Sequence, residues 1–293
     1  MRTPEFQAYV APARLYPQIW RLLLGIGLIA FIYFGFIGLV FWAGFGYVTP
    51  FHFLRWAHAV MTGQGAWPTL VLLFTFVGMA LGPIIAAPAC HMRSPGTLFG
   101  PLSVTLRGFF IALAVVSAFY LAVGAVSFAL RPPLDNLPVT QWLGYLPYAL
   151  PLILIQTSGE ELVFRGYLQQ QLAARFRARF VWMVLPSAVF AAMHWDPGMG
   201  HQAWLVIGMT FAVAMMAADL TEKTGALGAA IGLHFANNVF AILVVSVKDN
   251  IDGLSLFITE FDKTDMTQMP GELALNLITL LIVWWILRNL LDR

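Results

Sequence analysis

The sequence predicts an all-α fold, a polytopic membrane helix bundle of about eight transmembrane helices. Three observations point there. Of the 293 residues, 60% are hydrophobic and 10% charged, against roughly 25% charged in soluble domains. The mean hydropathy is +0.78. Apolar stretches near the roughly 20 residues that a bilayer crossing takes recur at 20–47, 67–88, 107–130, 142–172, 180–196, 202–220, 225–247 and 271–291.

The first stretch is too long for the apolar region of a signal peptide, and the 18 residues before it are mixed and contain proline. No cleavable signal is expected. The fourth stretch exceeds a crossing, so its end, QQQLAAR, is expected to project into water. Pro147 and Pro151 should bend it near its start, where neighbouring helices satisfy freed carbonyls. The fifth stretch is short and is expected to continue beyond Trp195 toward Pro197. Gly25, Gly35, Ala112, Ala188 and Ala229 suit close helix contact. The longest polar loop is 248–270. With no repeat, low-complexity tract or soluble domain, residues 1–293 read as one membrane domain. Cys90 is the single cysteine, which excludes an intramolecular disulfide and a cysteine-based metal cluster.

Loop charge orients the bundle. Twelve of the 16 basic residues fall on one side: Arg2, Arg14, Arg21, Arg93, Arg107, Arg165, Arg175, Arg177, Arg179, Lys223, Arg288 and Arg293. Arg55, Arg131, Lys248 and Lys263 fall on the other. The positive-inside rule then predicts a cell-membrane protein with both termini cytoplasmic. The net charge of +2 says little about partners.

The polar exceptions carry the chemistry. Glu160 and Glu161 in GEELVFRG, His194 in VFAAMH, and His234 and Asn238 in LHFANN lie in apolar stretches. Ionisable groups at membrane depth cost a few kcal/mol even on lenient scales and mark functional sites. Glu160 and His194 are equidistant along the chain from the loop near Arg177. His234, counted from Gly225, lies roughly 14 Å into its helix at 1.5 Å per residue. All three can meet in the cytoplasmic half of the membrane or near its middle. A carboxylate beside an imidazole takes a proton from water, so Glu160 with His194 suits water activation. His234 and Asn238, four residues apart on one face, suit donation to a developing oxyanion. Glu161 pairs with Arg165 at the same spacing.

An adjacent glutamate pair is ordinarily a solvated turn, and a lone buried histidine ordinarily satisfies an interhelical hydrogen bond. Both features in neighbouring apolar helices favour a site. His52, His58 and His91 read as ordinary interfacial residues. Asp196 and His201 read as turn caps, and Trp56, Trp67, Trp284 and Trp285 as an interface belt. Met215 and Met216 read as core or lipid contacts. Arg175, Arg177 and Arg179 face anionic lipid heads rather than nucleic acid. No HExxH, GxSxG or Walker pattern occurs, which removes the usual zincin, serine-hydrolase and P-loop readings.

The three segments together resemble the CAAX protease and bacteriocin-processing family, whose eukaryotic members are the Ras-converting prenyl endopeptidases. Its EExxxR motif stands as Glu160, Glu161 and Arg165, its FxxxH as Phe190 and His194, and its HxxxN as His234 and Asn238, within TGALGAAIGLHFANN. The resemblance covers about 145–245, the expected catalytic core. It implies an eight-helix intramembrane endopeptidase in which Glu160 and His194 activate water and His234 and Asn238 form the oxyanion hole. A zinc ion held by Glu160, Glu161, His194 and His234 is the alternative. It would spend both imidazoles as ligands, so no cofactor is the preferred expectation. The implied partners are the bilayer and a peptide or membrane-protein substrate, lipidated or not. A non-catalytic scaffold or immunity protein would keep the fold and lose motif residues. A transporter would show repeat symmetry or paired broken helices, and neither is evident.

The charge asymmetry makes a direct prediction about sidedness. A cysteine placed at 175–179 should label only from the cytoplasmic side, and one at 255–262 only from the opposite side. The reverse labelling would mean a miscounted span.

Overall fold

A computed structural model describes residues 3–292; Arg2 and Arg293 of the charge count lie outside them. In chain order the helices are α1 (Pro4–Val10), α2 (Ile19–Tyr47), α3 (Pro50–Thr62), α4 (Ala66–His91), α5 (Leu102–Leu130) and α6 (Val139–Glu161). They continue with α7 (Gln170–Arg175), α8 (Leu185–Ala192), α9 (Gln202–Thr224), α10 (Gly228–Val239) and α11 (Met269–Leu290). A π-helical stretch, Leu162–Gln169, joins α6 to α7; Phe180–Val184 leads into α8, and Phe240–Val244 extends α10. All eight apolar segments are helical. Five helices (α2, α4, α5, α9 and α11) are long and apolar enough to cross a membrane. Phe180–Ala192 and Gly228–Val244 are shorter apolar helices. This is the bundle of an integral membrane protein.

The bundle is built around α4 and α10. Half of the apolar window of α4 is buried, against 11% in α2 and α5. It packs on α2 and α6, while α10 packs on α5, α6 and α9. Without hydrophobic drive between helices in lipid, close approach depends on small residues. A Cβ at Gly228 would overlap the Thr105 carbonyl of α5, and one at Gly232 would press on Phe109. Ala112 and Ala229 are buried as expected. Gly35 and Ala188 are not packing positions: no atom lies within 4 Å of a Cβ at Gly35, and Ala188 is exposed.

Both ends of the bundle depart from the sequence expectation. At the basic end α1 folds back as a cap, with Phe6 and Val10 fully buried and Phe6 against Trp182 at 5.0 Å between ring centroids. Thr3 caps α1 by accepting from Phe6 N at 3.1 Å and donates to the Glu222 carbonyl at 2.6 Å. The cap meets the turn after α9 so closely that Gly225, at φ +63°, faces the Glu5 backbone; only glycine suits both demands.

The end of the fourth segment therefore does not project into water. Gln169, Gln170 and Gln171 are buried because the cap and the 92–101 loop cover them. Gln170 donates to the Tyr9 carbonyl at 2.6 Å and the Thr97 carbonyl at 3.0 Å, and it accepts from Arg93. His91 is buried rather than interfacial, bonded to Tyr167 Oη at 2.7 Å and the Tyr16 carbonyl at 3.0 Å. Arg165 is buried inside the bundle and leaves the count of loop charges. Arg179 pairs with Glu222, so it does not stand free for lipid heads.

The opposite end carries strands within an otherwise helical chain. β1 (Leu134–Asp135), β2 (Val245–Lys248) and β3 (Phe257–Asp262) form a sheet in the order β1-β3-β2. β1 runs antiparallel to β3, with Leu134 opposite Ile258. β2 runs parallel to β3, with Val245 opposite Phe257. The seventh apolar segment thus ends at Val244, and the polar loop carries β3. The fifth segment ends at Ala192 rather than beyond Trp195.

The α5–α10 contact supplies a stability test. Gly228→Val should overpack the interface and cost about 1–3 kcal/mol, read as a lower melting temperature in detergent. Gly35→Ala should melt as the wild type does. Equal melting of all three proteins would mean that the two helices separate freely.

Candidate active site

The three motifs sit on three helices whose windings share a feature. Among the described residues, π-helical stretches occur only in the segments bearing the motifs. Such stretches concentrate at functional sites because the wider turn re-aims side chains. The first begins directly after Glu161 and the third shortly after Asn238.

Glu161 is the anchor. Its Oε1 accepts from Arg165 at 3.0 Å and from His234 Nδ1 at 2.9 Å. Arg165 donates a second bond to the Ala214 carbonyl of α9 at 3.0 Å. Its guanidinium lies 4.8 Å from the centre of the Phe190 ring. The Glu161 and Arg165 side chains are 1% and 2% exposed. The pair therefore fastens α6, α9 and α10 together and seats Phe190. Because Nδ1 of His234 is committed to Glu161, Nε2 is the nitrogen left to face the site.

Glu160 is held differently. Its Oε1 accepts from Gln156 Nε2 at 2.9 Å. Its buried Oε2 carries no hydrogen bond and lies 3.4 Å from His234 Nε2. Asn238 Nδ2 donates to Gln156 Oε1 at 2.9 Å. The structure thus joins Glu160, Glu161, Arg165, His234 and Asn238 in one polar cluster. Gln156 belongs to it and was missed in the sequence reading. The available signal was an amide one turn before Glu160 on the same helix face.

His194 stands apart. Among the described residues, no hydrogen bond joins it to Glu160; its Nδ1 bonds the Phe190 carbonyl at 2.9 Å. It is exposed, in the turn after α8, because that helix ends at Ala192. The Phe190 ring is 4.7 Å from His194 and 6.0 Å from His234. The turn itself is pinned. Asp196 accepts from Gly198 N at 2.8 Å and from Lys263 at 2.7 Å. The Lys263 bond, then the Gly198 amide, hold its carboxyl below the ordinary range. Asp196 caps the turn as expected; His201 makes no capping bond.

The zinc alternative fits this donor set poorly. Glu161 Oε1 is taken by Arg165 and His234, and His194 stands exposed in its turn, outside the polar cluster. Among the described residues, no group of three histidine, cysteine, aspartate or glutamate side chains is placed to hold a metal.

Removing one partner of a buried ion pair leaves the other uncompensated, at about 3–5 kcal/mol. Glu161→Ala and Arg165→Ala should each lower the melting temperature in detergent, and the double variant should lose less than the two losses together. Additive losses would show that the two side chains act independently.

Comparison with known proteins agrees with this placement of the motifs. Residues 141–240 match the family model described as type II CAAX prenyl endopeptidase Rce1-like. A Bacillus subtilis (strain 168) protein, YyaK, described as uncharacterized, is 28% identical over 184 residues. That match covers 60% of this chain and 61% of the relative's length. No solved structure matches. The matched segment holds Glu160, Glu161, Arg165, Phe190, His194, His234 and Asn238, and over that segment the chain is similar to the Rce1-like family of type II CAAX prenyl endopeptidases.

Proposed function

We propose that the chain is an intramembrane endopeptidase of the CAAX type, with Glu160 as general base. One observation carries the reading: a buried carboxylate whose Oε1 is held by Gln156 while Oε2 stays unpartnered, facing His234 Nε2. An oxygen so placed is an acceptor in search of a proton.

In this mechanism Glu160 Oε2 takes a proton from a water, and the resulting hydroxide attacks the peptide carbonyl carbon. His234, protonated on both nitrogens in this step, gives its Nδ1–H to Glu161 and its Nε2–H to the oxyanion, beside the remaining N–H of Asn238 Nδ2. The tetrahedral intermediate then collapses, and Glu160 returns its proton to the leaving amine. His194, whose Nε2 carries no protein hydrogen bond, serves the water from the exposed side of Phe190. Glu161 and Arg165 hold the frame. No metal takes part in any step. The substrate is a peptide segment presented in the bilayer; both termini lie on the cytoplasmic side, and the exposed His194 lies toward the sheet-bearing end. The family's name makes a prenylated C-terminal peptide the first substrate to try.

Glu160→Gln keeps the shape and removes the base, so turnover should fall by about 10²–10⁴-fold or more in a folded protein. Mass spectrometry of membranes carrying wild type or Glu160→Gln should show one cleavage missing in the variant. A variant retaining a third of the activity would sink the assignment. Exhaustive chelation should leave turnover intact; stoichiometric zinc that tracks activity would overturn the metal-free mechanism. A scaffold or transporter would show no missing cleavage at all.

A further inference from the structure

Gln156 is the end of a longer chain of donors that runs across the bundle. Tyr120 Oη on α5 donates to Asn237 Oδ1 at 2.6 Å. Asn237 Nδ2 donates to Asn238 Oδ1 at 3.1 Å, Asn238 Nδ2 to Gln156 Oε1 at 2.9 Å, and Gln156 Nε2 to Glu160 Oε1 at 2.9 Å. Every bond points the same way. Four consecutive groups give their protons toward one carboxylate, and three different helices contribute them. Behind Tyr120 stands Asn276 of α11, its side-chain amide 2.7 Å from Oη. The phenol has one proton, so with Tyr120 donating to Asn237, the Asn276 amide turns its NH₂ toward Oη and starts the chain.

The direction follows from the terminus. An ionised carboxylate only accepts, so the Gln156 amide must present nitrogen to Glu160 and oxygen to Asn238. That fixes the Asn238 amide, which fixes Asn237 in turn. In a low-dielectric setting such head-to-tail bonds polarise one another. Asn237 adjoins the motif residue Asn238, and Tyr120 and Asn276 lie on helices without a motif; lipid-facing segments carry such groups at a cost.

We propose that Gln156 is a positioning residue for Glu160, and that Tyr120, Asn237 and Asn238 extend its reach to α5 and α10. Resting on the endopeptidase reading, the chain occupies Oε1 and so leaves Oε2 as the proton-accepting oxygen. It also spends one N–H of Asn238 on Gln156, which aims the other at the oxyanion. Base and oxyanion donor are thereby set relative to each other by one amide.

Infrared difference spectroscopy of the detergent-solubilised protein, with Glu160→Gln as the subtracted reference, isolates the carboxylate stretching bands of Glu160. Gln156→Met keeps the length of the side chain and removes both bonds. Tyr120→Phe removes one hydroxyl at the far end and tests the chain should Gln156→Met not fold. Both variants should shift the Glu160 bands, Gln156→Met more than Tyr120→Phe. Unshifted bands in the folded variants would overturn the proposal. On a farnesylated CAAX peptide, Gln156→Met should lower kcat by about 10²-fold through misplacement of the base. Tyr120→Phe should lower it by roughly two- to tenfold, the worth of one neutral hydrogen bond, with KM changed little in either. Normal kcat in Gln156→Met would also overturn the proposal. If wild type leaves this peptide uncut, the substrate assignment has failed, and the infrared bands still decide the positioning role.

Discussion

Glu161 sits 1% exposed inside a membrane bundle, and the rest of the site depends on how that charge is tolerated. An isolated carboxylate at such depth would be neutralised or would unfold its helix. Here one oxygen takes both Arg165 and His234, and Arg165 reaches on to a carbonyl of α9. Three helices are tied at a single atom, and the tie selects which nitrogen of His234 is left over. The reacting face of the imidazole is a consequence of the anchor behind it.

Two adjacent glutamates therefore do different work. One oxygen of Glu161 is taken by Arg165 and His234, and the side chain is turned into the bundle. Glu160, one residue before, lies about 100° around the helix, where the Gln156 amide holds its Oε1 and His234 Nε2 stands 3.4 Å from its Oε2. The first provides order and the second keeps a reactive oxygen. Both carboxylates meet His234, Glu161 at Nδ1 and Glu160 at Nε2, so the two roles are separated by which face of the imidazole each one meets. The π-helical stretch that follows Glu161 widens the turn at the point where Arg165 must reach back.

The ends of the bundle insulate this cluster. The α1 cap and the 92–101 loop close the basic end over Gln169–Gln171, giving the buried Gln170 amide the partners that water would otherwise supply. At the other end the small sheet ties the α5–α6 connection to the segment after α10. Lys263 reaches from beyond β3 to Asp196 and holds the turn that bears His194. The anchor of the site is thus buried, and His194 is its exposed residue.

The sequence by itself determined the helical membrane architecture, because hydropathy over about 20 residues reports directly on a bilayer crossing. It also singled out Glu160, Glu161, Arg165, His234 and Asn238, since charges and amides in apolar runs carry their own signal, and spacing of four places pairs on one face. Tertiary structure alone decided the remainder. Gln156 and Asn276 are polar in apolar helices, yet only contact across helices gives them Asn238 and Tyr120 as partners. His194 was expected inside a helix; a helix ended early by packing and a capped Asp196 turn placed it outside. QQQLAAR looks like a water-exposed tail until a cap from a distant part of the chain covers it. The strand at 134–135 pairs with one more than a hundred residues away, and the strands at 245–248 and 257–262 pair across a short connection, neither of which a local pattern encodes. Local periodicity reports what a residue needs, and only the assembled bundle reports which neighbour supplies it.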